Sequence, residues 1–385
     1  MITYIDQIEI KNKRVLLRVD FNVSLKEDGS IRSDERIKRA LPTIQKLLSD
    51  GNKLVLMSHL GQPKGYDAKL TTERVATRLE ELIGKPVAFV PFADPFNVPL
   101  DTFDMCMLDN IRFHAGEKKN DPEFAQRLAS LADVYVNDAF AVCHRPDASV
   151  VGVAQLLPHF GGLLVKEEVE MIRKAIVNPP RPVVVVIAGA KISTKIGLIA
   201  KFLQLADSVL IGGAIANSFF KVKGWKIGKG AFEEDHLTEA KELLALGEHA
   251  EKLVLPVDAR VGHEEMQEEP RVKSVEHIGS DDKMLDIGPA TEKHYKDIIE
   301  AANTIIWNGP VGYFENPQFA KGTASIFESI TENAQATSIV GGGDTLSAIK
   351  HLPDHDKITH ISTGGGAMLE LIEKGTLPGI EALEK

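Results

Sequence analysis

Cysteine is nearly absent, with only Cys106 and Cys143 in 385 residues. Two thiols cannot staple a fold or build a cysteine zinc site, and such sparse use suits a reducing cytosol. No stretch approaches the roughly 18 uninterrupted apolar residues of a membrane-spanning helix. The opening Met1-Ile2-Thr3-Tyr4-Ile5-Asp6 lacks the basic-then-apolar order of a secretory signal, so a cytoplasmic protein is expected. Positive charge is in deficit: 45 Lys and Arg face 55 Asp and Glu, a net charge of −10. Nucleic-acid binding rests mainly on phosphate neutralisation, so no nucleic-acid partner is expected. The same deficit makes any local cluster of arginines informative. The zinc-protease spacing His-Glu-x-x-His, the Gly-x-Gly-x-x-Gly dinucleotide fingerprint and the Walker phosphate-loop spacing are all missing.

What is present reads as two α/β lobes. The length exceeds one typical core. In the first half the apolar runs Val15–Val19, Leu54–Met57, Val87–Val90, Met105–Leu108 and Val134–Val136 predict strands. Between them, 3.6-residue periodicity predicts helices from Ser33 to Gly51, from Thr72 to Ile83 and from Asp121 to Leu131. Residues 163–178 read as one longer helix joining the lobes. The grammar then restarts with Val183–Ile187, followed by strand runs at Val209, Leu253, Thr304, Ser338 and Thr359. Strands alternating with helices imply parallel sheets. The charged stretch 262–269 is expected to be an exposed loop. The lobes are placed at 1–162 and 179–366, with residues 367–385 expected to pack back onto the first.

Open α/β sheets bind ligands outside the carboxyl ends of their strands. In the first half those ends carry Arg18, Asp20 and Asn22 at alternating positions, Arg36 at a helix start, His59, Arg112, and His144-Arg145. Residues 18, 20 and 22 share one face if the strand continues. Four arginines at matching ends form a cationic bowl suited to a small anionic ligand. A catalytic Cys143 is disfavoured, because adjacent residues such as His144 rarely face each other.

In the second half two strands break into glycine triplets, Gly341-Gly342-Gly343-Asp344-Thr345 and Gly364-Gly365-Gly366. Glycines let backbone N–H groups approach an anion, and the following helix start adds a positive end. Asp344 is placed to hold a divalent cation beside phosphates. Ala188-Gly189-Ala190-Lys191 follows the Val183 strand, and Lys191 and Lys195 are predicted to share a helical face with an anion between them. Gly212-Gly213 could admit a flat ring. Trp307-Asn308-Gly309-Pro310, followed by Glu315, offers apolar surface and one carboxylate for a base and its ribose. From these residues alone, three readings remain open: a kinase, a non-catalytic two-lobed anion-binding protein, and a dehydrogenase, the last weakened by the missing fingerprint.

Together the segments resemble phosphoglycerate kinase over essentially the full length. The resemblance is carried by Arg18-Val19-Asp20-Phe21-Asn22, Ser58-His59-Leu60-Gly61, Asn110-Ile111-Arg112-Phe113-His114, Val136-Asn137-Asp138-Ala139-Phe140, Gly189-Ala190-Lys191, Trp307-Asn308-Gly309-Pro310 and both glycine triplets. It implies an α/β fold of two similar lobes, each a parallel sheet between helices in a Rossmann-like three-layer arrangement. It implies reversible, Mg²⁺-dependent phosphoryl transfer between 1,3-bisphosphoglycerate and ADP, giving 3-phosphoglycerate and ATP, by a monomer. By the same resemblance the glycerate would meet Asp20, Phe21, Asn22, Arg36, His59, Leu60, Gly61, Gln62, Arg112 and Arg145. The nucleotide would meet Gly189, Lys195, Gly212, Gly213, Asn308, Pro310, Glu315, Gly342, Gly343, Asp344 and Thr345, with Asp344 facing Mg²⁺. Arg36, Lys191 and the N–H groups of Gly365 and Gly366 would stabilise the phosphoryl group in transit. The chain departs from the family at Gln62, where arginine is usual, at Ala141-Val142-Cys143 before His144, and at Ala188 in place of glycine.

Overall fold

The first strand, β1 (Arg14–Val19), is apolar and buried along nearly its whole length, as a central strand covered on both faces must be. A computed structural model describes residues 1–246 and 251–384. In it the chain forms two compact units: Met1–Glu170 with Lys374–Lys385, and Met171–Glu373. The division falls within the helix Leu163–Ile176.

In the first unit β1 is joined by β2 (Lys53–Met57), β3 (Ala88–Val90), β4 (Met105–Leu108), β5 (Val134–Asp138) and β6 (His159–Gly161). All pairings are parallel, in the order β3-β4-β2-β1-β5-β6. The chain passes from β1 to β2 on one side, whereas β5 pairs on the other. The connections therefore diverge at the carboxyl end of β1, where an open sheet leaves a crevice. The helices obey the sequence signals. Asp121 caps Pro122–Ala129 by accepting from Phe124 N at 2.9 Å, and Gly84 ends Glu73–Ile83 in the left-handed conformation. Ile37, Ala40, Ile44 and Leu47 of the helix Glu35–Ser49 pack with Leu17, Leu54 and Val75 in one core. The C-terminal helix Pro378–Glu384 belongs to this unit, and Gly379 N donates to Cys143 O at 2.8 Å.

The second unit repeats the plan with β7 (Val183–Ile187), β8 (Ser208–Ile211), β9 (Leu253–Val254), β10 (Asp258–Val261), β11 (Arg271–Ser274), β12 (Met284–Ile287), β13 (Thr304–Asn308), β14 (Thr337–Gly341) and β15 (His360–Ser362). Six of these make a parallel sheet, β15-β14-β13-β7-β8-β9, which diverges between β7 and β13. Trp307, Val186, Phe327 and Tyr295 fill its core. The other three form a separate antiparallel sheet, β11-β10-β12, which the sequence reading did not anticipate. The charged stretch 262–269 is the connection between β10 and β11. Among the described residues no helix is long and apolar enough to cross a membrane.

Candidate functional site

Each unit places its chemistry at the carboxyl ends of its central strands. In the first unit, β1 stops at Val19 and the chain bends. Phe21 N donates to Ser58 Oγ at 2.9 Å, tying the end of β1 to the end of β2. Asn22 then spans the gap: its N–H donates to Asp20 Oδ1 at 3.2 Å, and its Oδ1 accepts from Gly61 N at 2.8 Å. Asn110 Nδ2 donates to Leu60 O at 2.7 Å, which fixes the His59-Leu60-Gly61-Gln62 turn against the end of β4. Arg112 Nη1 donates to Gly61 O at 3.0 Å. Arg36, from the first turn of its helix, is ion-paired with Asp20.

Asp20, Asn22, Arg36, His59, Gly61 and Arg112 are thus drawn onto one shelf. The electrostatics there favour an anion. Arg112 is 4% exposed, and its guanidinium is pushed down to about 10 by burial and by the neighbouring Arg145 and Arg18. His59 is held well below the ordinary histidine range by burial first, then by Arg18, Arg112, Arg145 and Arg36. Buried Nε and Nη2 of Arg112 and Nε of Arg145 make no hydrogen bond among the described residues. Asp147 stands 3.8 Å from Arg112 Nη2 and supplies partial compensation only. Unfilled, buried guanidinium donors are costly unless a ligand takes them.

Arg18 does not share the shelf with Asp20 and Asn22. It is fully buried within β1, an interior strand of the sheet, whereas β1 ends at Val19 and the alternation does not run on to residues 20 and 22. Its Nε donates to Ser149 Oγ at 2.9 Å. Sequence reading also missed Lys118, whose Nζ donates to Gln62 Oε1 at 2.8 Å. Only the two adjacent lysines before Asn120 hinted at it. Cys143 is buried with its thiol pushed up to about 12 by desolvation, which leaves it inert as a nucleophile.

In the second unit the ends of β7, β13 and β14 converge. Ala188 N donates to Asn308 O at 2.9 Å. Asn308 Nδ2 donates to Gly341 O at 2.7 Å, and its Oδ1 accepts from Lys195 Nζ. Thr345 Oγ1 accepts from Gly309 N at 2.8 Å, so the Trp307-Asn308-Gly309 turn and the first glycine triplet are clasped together. The second triplet lies against the first: a side chain at Gly365 would meet Gly342 Cα at 2.7 Å. Gly213 has φ +65° and lies against the backbone of Gly189. Burial lowers Lys195 to about 8, with Asp344 opposing.

A cleft of about 400 Å³ opens beside these turns. Gly189, Gly213, Pro310, Glu315 and Asp344 line it, with Phe220 and Val311 contributing apolar surface. Lys191 and Lys195 do not lie on one helical face, contrary to the sequence expectation. A 3-10 turn, Ile192–Thr194, separates them, and the helix begins only at Ile196. Glu233 holds that turn by accepting from Ser193 N at 2.9 Å and from Ser193 Oγ at 2.8 Å. Asp344 is exposed in the first turn of Gly343–Ile349. One carboxylate at the rim of a phosphate-sized cradle suits Mg²⁺, which keeps waters and shares its shell with phosphate oxygens.

Comparison with known proteins identifies the family of the fold. The family model described as phosphoglycerate kinase matches residues 5–375. The phosphoglycerate kinase of Dictyoglomus turgidum is 48% identical over 383 residues, covering 98% of this chain and 96% of that protein. That of Thermosynechococcus vestitus is 46% identical over 386 residues, with 98% and 96% covered. The solved phosphoglycerate kinase of Coxiella burnetii superposes with a TM-score of 0.89 at 36% identity, covering 100% of this chain and 99% of that one. That of Pyrococcus horikoshii gives 0.86 at 33% identity, with 99% and 98% covered. With a family model over nearly its whole length, relatives at 46–48% identity and close superposition on two solved members, the chain belongs to the phosphoglycerate kinase family.

Proposed function

We propose that the protein transfers a phosphoryl group reversibly between 1,3-bisphosphoglycerate and ADP, yielding 3-phosphoglycerate and ATP in glycolysis. One observation carries this beyond family membership: each unit bears its own anion-suited site of different chemistry. The first site is a compact set of charged side chains with unfilled guanidinium donors. That suits the carboxylate and phosphate of a glycerate. The second combines glycine turns, an apolar-sided cleft, Glu315 and Asp344. That suits a nucleoside diphosphate with its metal.

In this reading Asp20, Asn22, Arg36, His59, Gly61, Gln62, Arg112 and Arg145 hold the glycerate. Phe21 and Leu60 supply backbone and shape. Gly212 and Gly213 border the base with Gly189 and Pro310 beside them, Glu315 takes the ribose, and Lys195, Asn308, Gly342, Gly343 and Thr345 line the phosphates. Asp344 would hold Mg²⁺, which supplies charge neutralisation on the nucleotide phosphates. Acyl phosphate chemistry needs positioning and charge stabilisation rather than a protein nucleophile. Arg36, Lys191 and the N–H groups at Gly365 and Gly366 provide that stabilisation. Because the ligands belong to separate units, the units must bring them in line for transfer. The protein is read as a cytoplasmic monomer with no nucleic-acid partner.

Incubation with 3-phosphoglycerate and MgATP, followed by ADP detection, tests the proposal. ADP release that depends on 3-phosphoglycerate supports it, and release that ignores 3-phosphoglycerate removes it.

A further inference from the structure

Behind His59 runs a buried line of polar groups for which phosphoryl transfer itself has no use. Glu117 is fully buried. Its Oε1 accepts from Ser149 Oγ at 2.6 Å and its Oε2 accepts from Ser149 N at 3.0 Å. Ser149 is held from the other side, where its carbonyl accepts from Tyr135 Oη at 2.8 Å. The serine has one hydroxyl hydrogen, and it is directed at Glu117. Its oxygen is therefore free to accept from Arg18 Nε at 2.9 Å. Arg18 Nη1 is tied to Val19 O, which fixes the plane of the guanidinium. Its Nη2 then stands 3.3 Å from His59 Nδ1.

The direction of that last contact is decided by chemistry. Guanidinium nitrogens only donate, so Nδ1 must accept and the imidazole proton must sit on Nε2. Burial first, then the charges of Arg18, Arg112, Arg145 and Arg36, oppose a second proton on the ring; the carboxylate on the same shelf, Asp20, is ion-paired with Arg36. Glu117 is the fully buried carboxyl of this line: burial pushes it above the ordinary range, while the Arg18 charge and the two hydrogen bonds from Ser149 act against that rise.

We propose that Glu117, Ser149 and Arg18 are positioning residues that fix His59 as the neutral Nε2–H tautomer, a hydrogen-bond donor toward the glycerate. The inference rests on the reading that His59 faces 3-phosphoglycerate. In this role His59 donates to an anionic oxygen and does not act as a proton acceptor. A ring free to take the other tautomer would present a lone pair to that oxygen instead, and repel it.

The test is ¹⁵N NMR of the imidazole nitrogens in the full-length protein without ligand. The expected spectrum at neutral pH has Nδ1 in the unprotonated range and Nε2 in the protonated range. Glu117→Gln and Ser149→Ala should mix the tautomers and raise the KM for 3-phosphoglycerate about tenfold, the worth of one charge-assisted hydrogen bond, with the KM for ATP unchanged. Nδ1 protonated in the native protein overturns the proposal even if neither variant folds. A single Nε2–H tautomer persisting in both folded variants overturns the roles of Glu117 and Ser149. If the native protein shows the Nε2–H tautomer but releases no ADP with 3-phosphoglycerate, the positioning line stands and the functional reading falls.

Discussion

Lys118 Nζ donates to Gln62 Oε1 at 2.8 Å, which brings an ammonium to the turn where the family resemblance implies arginine. The two residues are 56 positions apart and meet because the turn after β2 and the segment after β4 lie side by side. The charge missing at residue 62 is therefore returned in part from residue 118. Lys118 is exposed, so screening limits its contribution to roughly 0.5–1 kcal/mol. Lys118→Met should raise the KM for 3-phosphoglycerate about two- to fivefold. Gln62→Arg should lower it, and by more in the Lys118→Met background than in the native one. Equal gains in both backgrounds would separate the two residues and refute the compensation.

Arg36 is paired with Asp20 at the edge of the basic shelf. If it meets the transferring phosphoryl group, its removal strips charge stabilisation from the transition state more than from the ground state. Arg36→Ala is expected to lower turnover on the order of 10³-fold, as charge-stabilising arginines do. Steady-state kinetics with saturating 3-phosphoglycerate and ATP measure this. A two- or threefold loss would assign Arg36 to binding alone.

Lys195 titrates near 8 because burial disfavours its ammonium. A phosphate beside it favours the charged form and raises that value in the complex. Binding of ADP should then take up a proton above pH 8, and affinity should fall about tenfold per pH unit as the free lysine becomes neutral. Below pH 7 the lysine is already charged, and this dependence should vanish. Calorimetry in two buffers of different ionisation enthalpy reads the proton uptake directly. The same uptake in Lys195→Met would assign it elsewhere.

The sheets were legible because their central strands are unbroken apolar runs. Val183–Ile187 is buried at every position, as five consecutive aliphatic residues require. The antiparallel sheet was not legible for the opposite reason. β11 is Arg-Val-Lys-Ser and mostly exposed, and β10 opens on an aspartate whose carboxylate serves Thr291 and Ala290. Of the site, the turns at His59, Asn308 and Gly341 could be read from their residues, since each ends an apolar run. The line from Glu117 through Ser149 to Arg18 could not. Its members are 131 residues apart at the extremes, lie outside any periodic pattern, and are joined only by the three-dimensional fold. Lys191 and Lys195 show the converse failure. Their spacing suited a helix, but Glu233 captures Ser193 and holds the segment in a tighter turn.

The two glycine triplets act as one device. A methyl group at Gly365 would stand 2.7 Å from Gly342 Cα and 2.8 Å from Gly342 N, both backbone atoms that cannot swing aside. At Gly366, the next residue, nothing lies within 4 Å. Gly342 itself has φ +111°, a conformation that side chains strain against, so it cannot relax to receive the methyl. Gly365→Ala must therefore push the turn after β15 away from the turn after β14. That costs about 1–3 kcal/mol as overpacking and displaces the N–H groups proposed to meet the phosphoryl group. Turnover should fall at least roughly tenfold, since misplacement by about an ångström weakens a positioned site sharply. Gly366→Ala keeps its N–H and meets no neighbour, so its stability and turnover should stay within a factor of a few of native. Thermal unfolding and kinetics on the pair decide the matter: equal behaviour of the two variants would show that the close approach of the triplets has no part in the reaction.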